Sequence, residues 1–215
     1  TQSAFGEQMD SLSDMVSFGA APALVAYEWA LHPLGRWGWI AAFVYCACAA
    51  LRLARFNVNT GVVDKRYFQG LPSPAAAALV AGFVWLTSAM LVAHREVPLF
   101  RALMSVFGGV PTARGDLSWV LFVVTLFAGL TMVTNVPYYS FKDFGGRRSV
   151  PFVVLVLIAL LIAVLSIEPA TMVFLVFVGY ALSGYVVYAW RKAKGQHASI
   201  VSTSTDEPDE QGLHH

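Results

Sequence analysis

The residues best suited to chemistry stand near the start of the sequence, in Gly6-Glu7-Gln8-Met9-Asp10-Ser11-Leu12-Ser13-Asp14. Gly6, Asp10 and Asp14 recur every four positions, close to the 3.6-residue turn of an α-helix, so they line one face. Two carboxylates one turn apart offer oxygen ligands to hard divalent cations such as Mg²⁺ or Mn²⁺, which also favour phosphate and water. The glycine one turn earlier leaves room for a ligand or a neighbouring helix to approach the backbone. A plainer reading of the same pair is that both acids are simply solvated.

The surroundings of the pair decide how much it costs to put acids there. The chain has 215 residues, of which 57% are hydrophobic and 13% charged, and its mean hydropathy is +0.62. Charged residues make up about a quarter of an ordinary water-soluble domain, so this balance excludes one. A formal net charge of +1 gives no overall attraction to nucleic acid, which is excluded as a partner. Cys46 and Cys48 lie two apart in an apolar run, where a helix points them in different directions, so neither a disulfide framework nor a zinc site is expected.

Five stretches without a charged side chain approach the about 20 residues that a helix needs to cross a bilayer: Trp37 to Leu51, Pro72 to Ala93, Leu117 to Pro137, Ser149 to Ile167 and Pro169 to Trp190. The first needs its flanking residues. A sixth, from about Gln8 to Ala30, opens on Asp10 and Asp14. In lipid a helix satisfies its own backbone groups and an open strand does not, so the expected fold is an all-α polytopic membrane protein with six visible transmembrane helices. Acids at the membrane end of a helix are costly and usually face a cavity where they act.

Basic residues are retained on the cytoplasmic side during insertion. One side holds Arg52, Arg55, Lys65, Arg66, Lys142, Arg147, Arg148, Arg191, Lys192 and Lys194; the other holds only Arg36, Arg95, Arg101 and Arg114. Both ends of the chain are therefore expected in the cytoplasm, with residues 1–194 as one membrane-embedded domain. Residues 195–215 turn polar and are too poor in apolar side chains to fold alone, which reads as a disordered tail.

The spacing G-x-x-x-D-x-x-x-D resembles the second half of the signature of the CDP-alcohol phosphotransferases, membrane enzymes that join an alcohol to a group activated by CDP. The wider pattern resembles the bacterial branch of that family that uses serine. It comprises Phe5-Gly6-Glu7 with Asp10-Ser11-Leu12 and Asp14, Ser17-Phe18-Gly19 and Ala21-Pro22, then Arg52-Leu53-Ala54-Arg55-Phe56-Asn57. Phe68-Gln69-Gly70-Leu71-Pro72-Ser73-Pro74 and Pro137-Tyr138-Tyr139-Ser140-Phe141-Lys142 complete it. The resemblance covers about residues 4 to 150 in scattered blocks. It implies transfer of a phosphatidyl group from CDP-diacylglycerol to L-serine with release of CMP, two divalent metal ions per site (Mg²⁺ or Mn²⁺), contact with membrane lipids, and a homodimer. The sister alternatives are transferases that use glycerol 3-phosphate or an inositol phosphate, and a different class is a non-catalytic lipid-binding scaffold. The first half of the signature, D-x-x-D-G-x-x-A-R, does not occur here. With the matching part beginning close to Thr1, where a Met would be usual, one or two helices are expected to precede this sequence.

By the same resemblance Asp10 is a metal ligand, Gly6 and Asp10 belong to the nucleotide site, and Asp14 is both a metal carboxylate and the general base for the serine hydroxyl. Arg52 and Arg55 suit a diphosphate or carboxylate because a guanidinium holds either with two hydrogen bonds; equally, arginines at a helix end snorkel to lipid headgroups. Asn57 and Lys142 are the remaining candidates for substrate contact, with Arg147 and Arg148 as topology determinants beside Lys142. Gly70 to Pro74 reads as a turn into the next helix. Charge counting places the Asp10 and Asp14 end, the Arg52 to Pro74 segment and the Lys142 loop on one side of the membrane, as a shared site requires.

Overall fold

A computed structural model describes residues 4–58, 67–91, 114–139 and 166–193, with isolated positions between 154 and 163. The first rod begins with α1 (Ala4–Asp14), widens into a π-helical segment (Met15–Ala20), tightens into α2 (Ala21–Ala26) and widens again over Tyr27–Leu31. Each wide segment ends within two residues of a proline, Pro22 or Pro33. A proline has no N–H for the carbonyl four residues back, and its ring crowds that carbonyl, so shifting the bonding to five residues relieves both problems. At the first widening the Ala21 N–H donates to Val16 O, five residues back. The carbonyl that Pro22 leaves without an α-helical donor, Phe18 O, accepts from the Tyr45 hydroxyl at 2.9 Å.

A short 3₁₀ turn (His32–Leu34) and Gly35, at φ +56°, end the rod. There follow α3 (Arg36–Val58), strand β1 (Tyr67–Gln69), α4 (Ser73–Leu91), α5 (Arg114–Val133), strand β2 (Pro137–Tyr139) and α6 (Pro169–Ala193). The fold is helical, as the composition requires. Among the described residues α3, α4 and α6 are long and apolar enough to cross a membrane, and α5 contributes the shorter apolar helix Leu117–Val133. The candidate span from Ser149 to Ile167 falls largely outside the described residues, as does the polar tail. Cys46 and Cys48 are both free, the latter buried.

Helical periodicity also did not announce the ribbon. β1 and β2 pair antiparallel with Tyr67 opposite Tyr139, Phe68 opposite Tyr138 and Gln69 opposite Pro137. It joins two segments some seventy residues apart at the end of the bundle where α3 and α5 finish and α4 starts.

Packing between helices relies on small residues that let backbones approach, the usual device where lipid removes the hydrophobic drive between helices. A Cβ on Gly19 would meet the Ala49 Cβ at 3.1 Å, and one on Gly129 would meet the Tyr45 Cα at 3.0 Å. Phe83 and Phe174, with ring centroids 5.6 Å apart, lock α4 to α6. Near the ribbon, the Tyr138 ring lies over Gly184, whose added Cβ would stand 2.4 Å from its Cζ. Gly184→Ala is therefore expected to lower the melting temperature in detergent by several degrees, because overpacking costs about 1–3 kcal/mol. Gly179→Ala on the same helix, with nothing within 4 Å of the added Cβ, should leave the melting temperature unchanged or raise it slightly; equal melting of the two variants would contradict this packing.

Candidate active site

Asp14 is the last residue of α1, immediately before the wide turn. In an α-helix a residue five positions on points well away from the first, whereas a turn bonded over five residues brings positions five apart back onto one face. Gly19 thus lies beneath Asp14, and Gly19 packs on Ala49 of α3. Three residues beyond Ala49, one turn toward the same end, stands Arg52. Asp14 and Arg52 accordingly interact electrostatically, and Arg55 and Tyr180 also act on the Arg52 guanidinium. Asp14 is half-buried while Asp10, a turn farther out, is exposed.

Arg52 is 9% exposed. Its Nη1 donates to Ser73 Oγ at 3.1 Å, and its Nε is buried with no hydrogen-bond partner among the described residues. A buried guanidinium donor left open is costly, so an acceptor from outside the described residues would relieve that cost. Ser73 is itself buried as the first residue of α4, which makes the turn before that helix part of the site.

Arg55 is placed differently, with its terminal nitrogens facing the protein itself. Nη1 donates to Val133 O at 3.0 Å and Asn135 Oδ1 at 3.1 Å. Nη2 donates to Gln69 O at 3.0 Å and, at 3.4 Å, to Met132 O and Thr134 O. The carbonyl of Gln69 ends β1; those of Met132, Val133 and Thr134 form the open end of α5, where a helix has no internal donors left and its dipole is negative. The same end receives the Leu71 N–H on Thr131 O at 3.1 Å, while Gly70 N–H reaches Val136 O at 2.9 Å. Gly70 takes φ +75°, and a Cβ there would stand 2.3 Å from Met132 O, so glycine is required on both counts.

Asn57 donates from Nδ2 to Ser11 Oγ at 3.0 Å, tying the end of α3 to the helix that carries Asp10 and Asp14. Lys142, Arg147 and Arg148 lie outside the described residues. Gly6 sits on exposed α1 one turn before Asp10. Two of the sequence blocks, Phe68 to Pro74 and Pro137 to Lys142, meet directly through the ribbon.

Several members of this end carried no signal in the sequence. The Tyr138 hydroxyl donates to Ala181 O at 2.8 Å, and its ring lies 5.5 Å from that of Tyr180. Burial, with smaller contributions from Tyr185 and Tyr180, pushes the Tyr138 phenol well above its usual range, so it remains a protonated donor. Tyr185 and Thr131 share a hydrogen bond of 2.9 Å between α6 and α5. Tyr138 and Ser11 were marked only by lying within quoted blocks; Tyr180 and Tyr185 needed the fold.

The donor set fits a hard divalent cation in kind, since Asp10 and Asp14 are carboxylates a turn apart on one helix. Among the described residues no group of three or more His, Cys, Asp or Glu stands close enough to hold a metal ion. Ligands beyond these two carboxylates would have to come from substrate phosphate, water or residues not described.

Residues 1–111 match the family described as CDP-alcohol phosphatidyltransferase. The chain is 32% identical over 160 residues to a CDP-diacylglycerol–serine O-phosphatidyltransferase of Helicobacter pylori, a match covering 74% of this chain and 59% of that protein. It is 35% identical over 140 residues to the protein of the same description from Methanocaldococcus jannaschii, covering 65% of each. With that of Saccharomyces cerevisiae it shares 40% over 90 residues, 39% of this chain and 32% of the other. The chain thus spans about three-fifths of the length of the bacterial relative.

Loss of the Asn57 to Ser11 tie should loosen α1 while leaving the bundle intact. Asn57→Ala is expected to speed amide exchange across residues 4–14 by about threefold to tenfold, as one hydrogen bond is worth about 1 kcal/mol. Exchange in α4 serves as the internal reference, and equal acceleration in both helices would show a global effect instead.

Proposed function

Because the chain belongs to the CDP-alcohol phosphatidyltransferase family, we propose that it carries the acceptor-activating half of an enzyme that transfers a phosphatidyl group from CDP-diacylglycerol to L-serine, releasing CMP. The observation that supports this reading is a nine-tenths-buried arginine, Arg52, whose Nε has no hydrogen-bond partner among the described residues and on which the Asp14 carboxylate acts electrostatically. A base beside a cation at the end of a helical bundle suits the pairing of a neutral hydroxyl with an anionic phosphate. The serine branch is supported by the relatives from Helicobacter pylori and Methanocaldococcus jannaschii.

In this mechanism Asp14 accepts the proton of the serine hydroxyl as its oxygen attacks the phosphatidyl phosphorus. The phosphorus to oxygen bond of the diphosphate breaks, and CMP leaves with that oxygen. An alcohol is a weak nucleophile until deprotonated, so a positioned base contributes about 10²–10⁴-fold. Asp10 and Asp14 would hold the divalent cation, one or a pair, that neutralises charge on the donor diphosphate. Gly6, one turn before Asp10, leaves the helix face open to the nucleotide. Arg52 binds an anionic group, either a diphosphate oxygen or the serine carboxylate, through a planar fork suited to both. Lys142, three residues after β2 in the sequence, is assigned to the donor phosphates.

The six-helix arrangement, with the reacting end and both ends of this chain toward the cytoplasm, fits the distribution of Lys and Arg. Serine and CMP are both available on that side. A bacterial inner-membrane location and a homodimer belong to the same reading.

The test is CMP release by the purified protein in detergent, with Mn²⁺ and CDP-diacylglycerol, offered serine, glycerol 3-phosphate, inositol phosphate or no alcohol. Serine alone should support turnover. A different alcohol would make the protein a sister transferase, and silence with all of them, together with no binding of Mn²⁺ or CDP, would make it a scaffold. Asp14→Asn should lower serine-dependent release by at least about 10²-fold with unchanged melting. Turnover close to that of the unmodified protein would remove Asp14 from its role.

A further inference from the structure

Arg52 and Arg55 are one turn apart on α3, and both reach the same five-residue turn, Gln69 to Ser73. Arg52 holds its last residue through Ser73 Oγ; Arg55 holds its first through Gln69 O. Between them the Gly70 and Leu71 N–H groups are bonded to Val136 O and Thr131 O. The turn is therefore fixed at four points over five residues, and its far wall is the end of α5, which Arg55 also closes through Met132, Val133 and Thr134.

We infer that Arg55 is a positioning residue, and that it sets the affinity for the anionic substrate by holding the Gln69 to Ser73 turn so that Ser73 aims the Arg52 guanidinium. This rests on the reading of Arg52 as the anion contact. The physical case lies in how the donors are used. Arg55 has both terminal nitrogens on protein acceptors from two separate segments, so its charge is taken up by the dipole of α5 and the ribbon. Among the described residues Arg52 has one terminal nitrogen on a single hydroxyl, that of Ser73, so its direction depends on where that hydroxyl stands. Ser73 cannot move independently, because Leu71 is bonded to α5 and Gly70 to Val136, just before β2. Any slack in the contact of Arg55 with Gln69 O is thereby transmitted to Ser73.

Lysine cannot replace this clamp. Its ammonium carries three donors on one atom, whereas the guanidinium spreads its terminal donors across a planar fork that spans the carbonyls of Gln69 and Val133 at once. Asn135 supplies a milder lever, since its Oδ1 accepts from Arg55 Nη1 while the residue itself is exposed.

The experiment measures kcat and KM for serine and for CDP-diacylglycerol in Arg52→Lys, Arg55→Lys, Asn135→Ala and the Arg52→Lys/Arg55→Lys double variant, each checked for folding by its melting curve. Arg52→Lys should raise one of the two KM values, identifying the substrate it holds. Arg55→Lys should raise the same KM by about tenfold and Asn135→Ala by about threefold, with kcat changed less than KM. In the double variant the second substitution should add little, because residues acting through one another are not additive.

Independent, multiplying effects on KM would overturn the inference, as would a fall in kcat at unchanged KM or an Arg55→Lys protein with normal KM values. Should Arg55→Lys fail to fold, Asn135→Ala alone, and combined with Arg52→Lys, decides by the same criteria. A normal KM for both substrates in Arg52→Lys would instead remove the assignment of Arg52, and with it this inference, while leaving the Asp14 test untouched.

Discussion

A helix that ends inside or at the edge of a membrane leaves its last carbonyls without donors, and lipid offers none. The end of α5 meets that constraint with an arginine from another helix and with the backbone of a turn, through Arg55 and through Leu71, while Gly70 serves Val136 just beyond. Everything else at this end of the molecule follows from it. The turn that supplies the donors begins α4, the strand before it pairs with the strand after α5, and the arginine comes from α3. One need for hydrogen bonds thus brings three helices and a ribbon into a single frame.

The second constraint acts on the first rod. Proline denies a donor to the carbonyl four residues back, and the chain answers by widening its turns just before Pro22 and Pro33. A widened turn changes which residues share a face. Here it brings Gly19 under Asp14, and Gly19 is small enough to sit against Ala49. Asp14 is delivered toward Arg52 by the packing of two small residues one turn below. The Tyr45 hydroxyl, buried and in need of an acceptor, uses the carbonyl that Pro22 left open, so the distortion also anchors the rod to α3.

The two arginines show how the same side chain takes different work from its surroundings. Arg55 is half-buried and faces the protein's own carbonyls; Arg52 is almost wholly buried, within the electrostatic influence of Asp14, with its Nε left over among the described residues. A guanidinium whose hydrogen bonds are filled by backbone is part of the scaffold, and one whose bonds are unfilled is ready for an acceptor from outside. Near them, Tyr138 and Tyr185 reach backbone and side-chain oxygens of neighbouring helices, closing the apolar side of this end.

What the sequence determined by itself was the solvent and the helices it requires. Charge-poor stretches of the right length require helices in lipid, and the stretches around Trp37, Pro72, Leu117 and Pro169 correspond to α3, α4, α5 and α6. That Gly6, Asp10 and Asp14 share a helix face was legible because a four-residue spacing matches the helical turn, and the turn into α4 because glycine and proline mark it. The difference between Arg52 and Arg55 was not legible, because both lie at a helix end and local pattern is silent about which carbonyls stand opposite. The ribbon was hidden because its strands are three residues each, too short for an alternating pattern, and because their pairing is between segments distant in the chain. The tie of Asn57 to Ser11 and the inward turn of Asp14 also needed tertiary structure, since the first joins two helices and the second depends on a change of helical pitch that periodicity at 3.6 residues does not reveal.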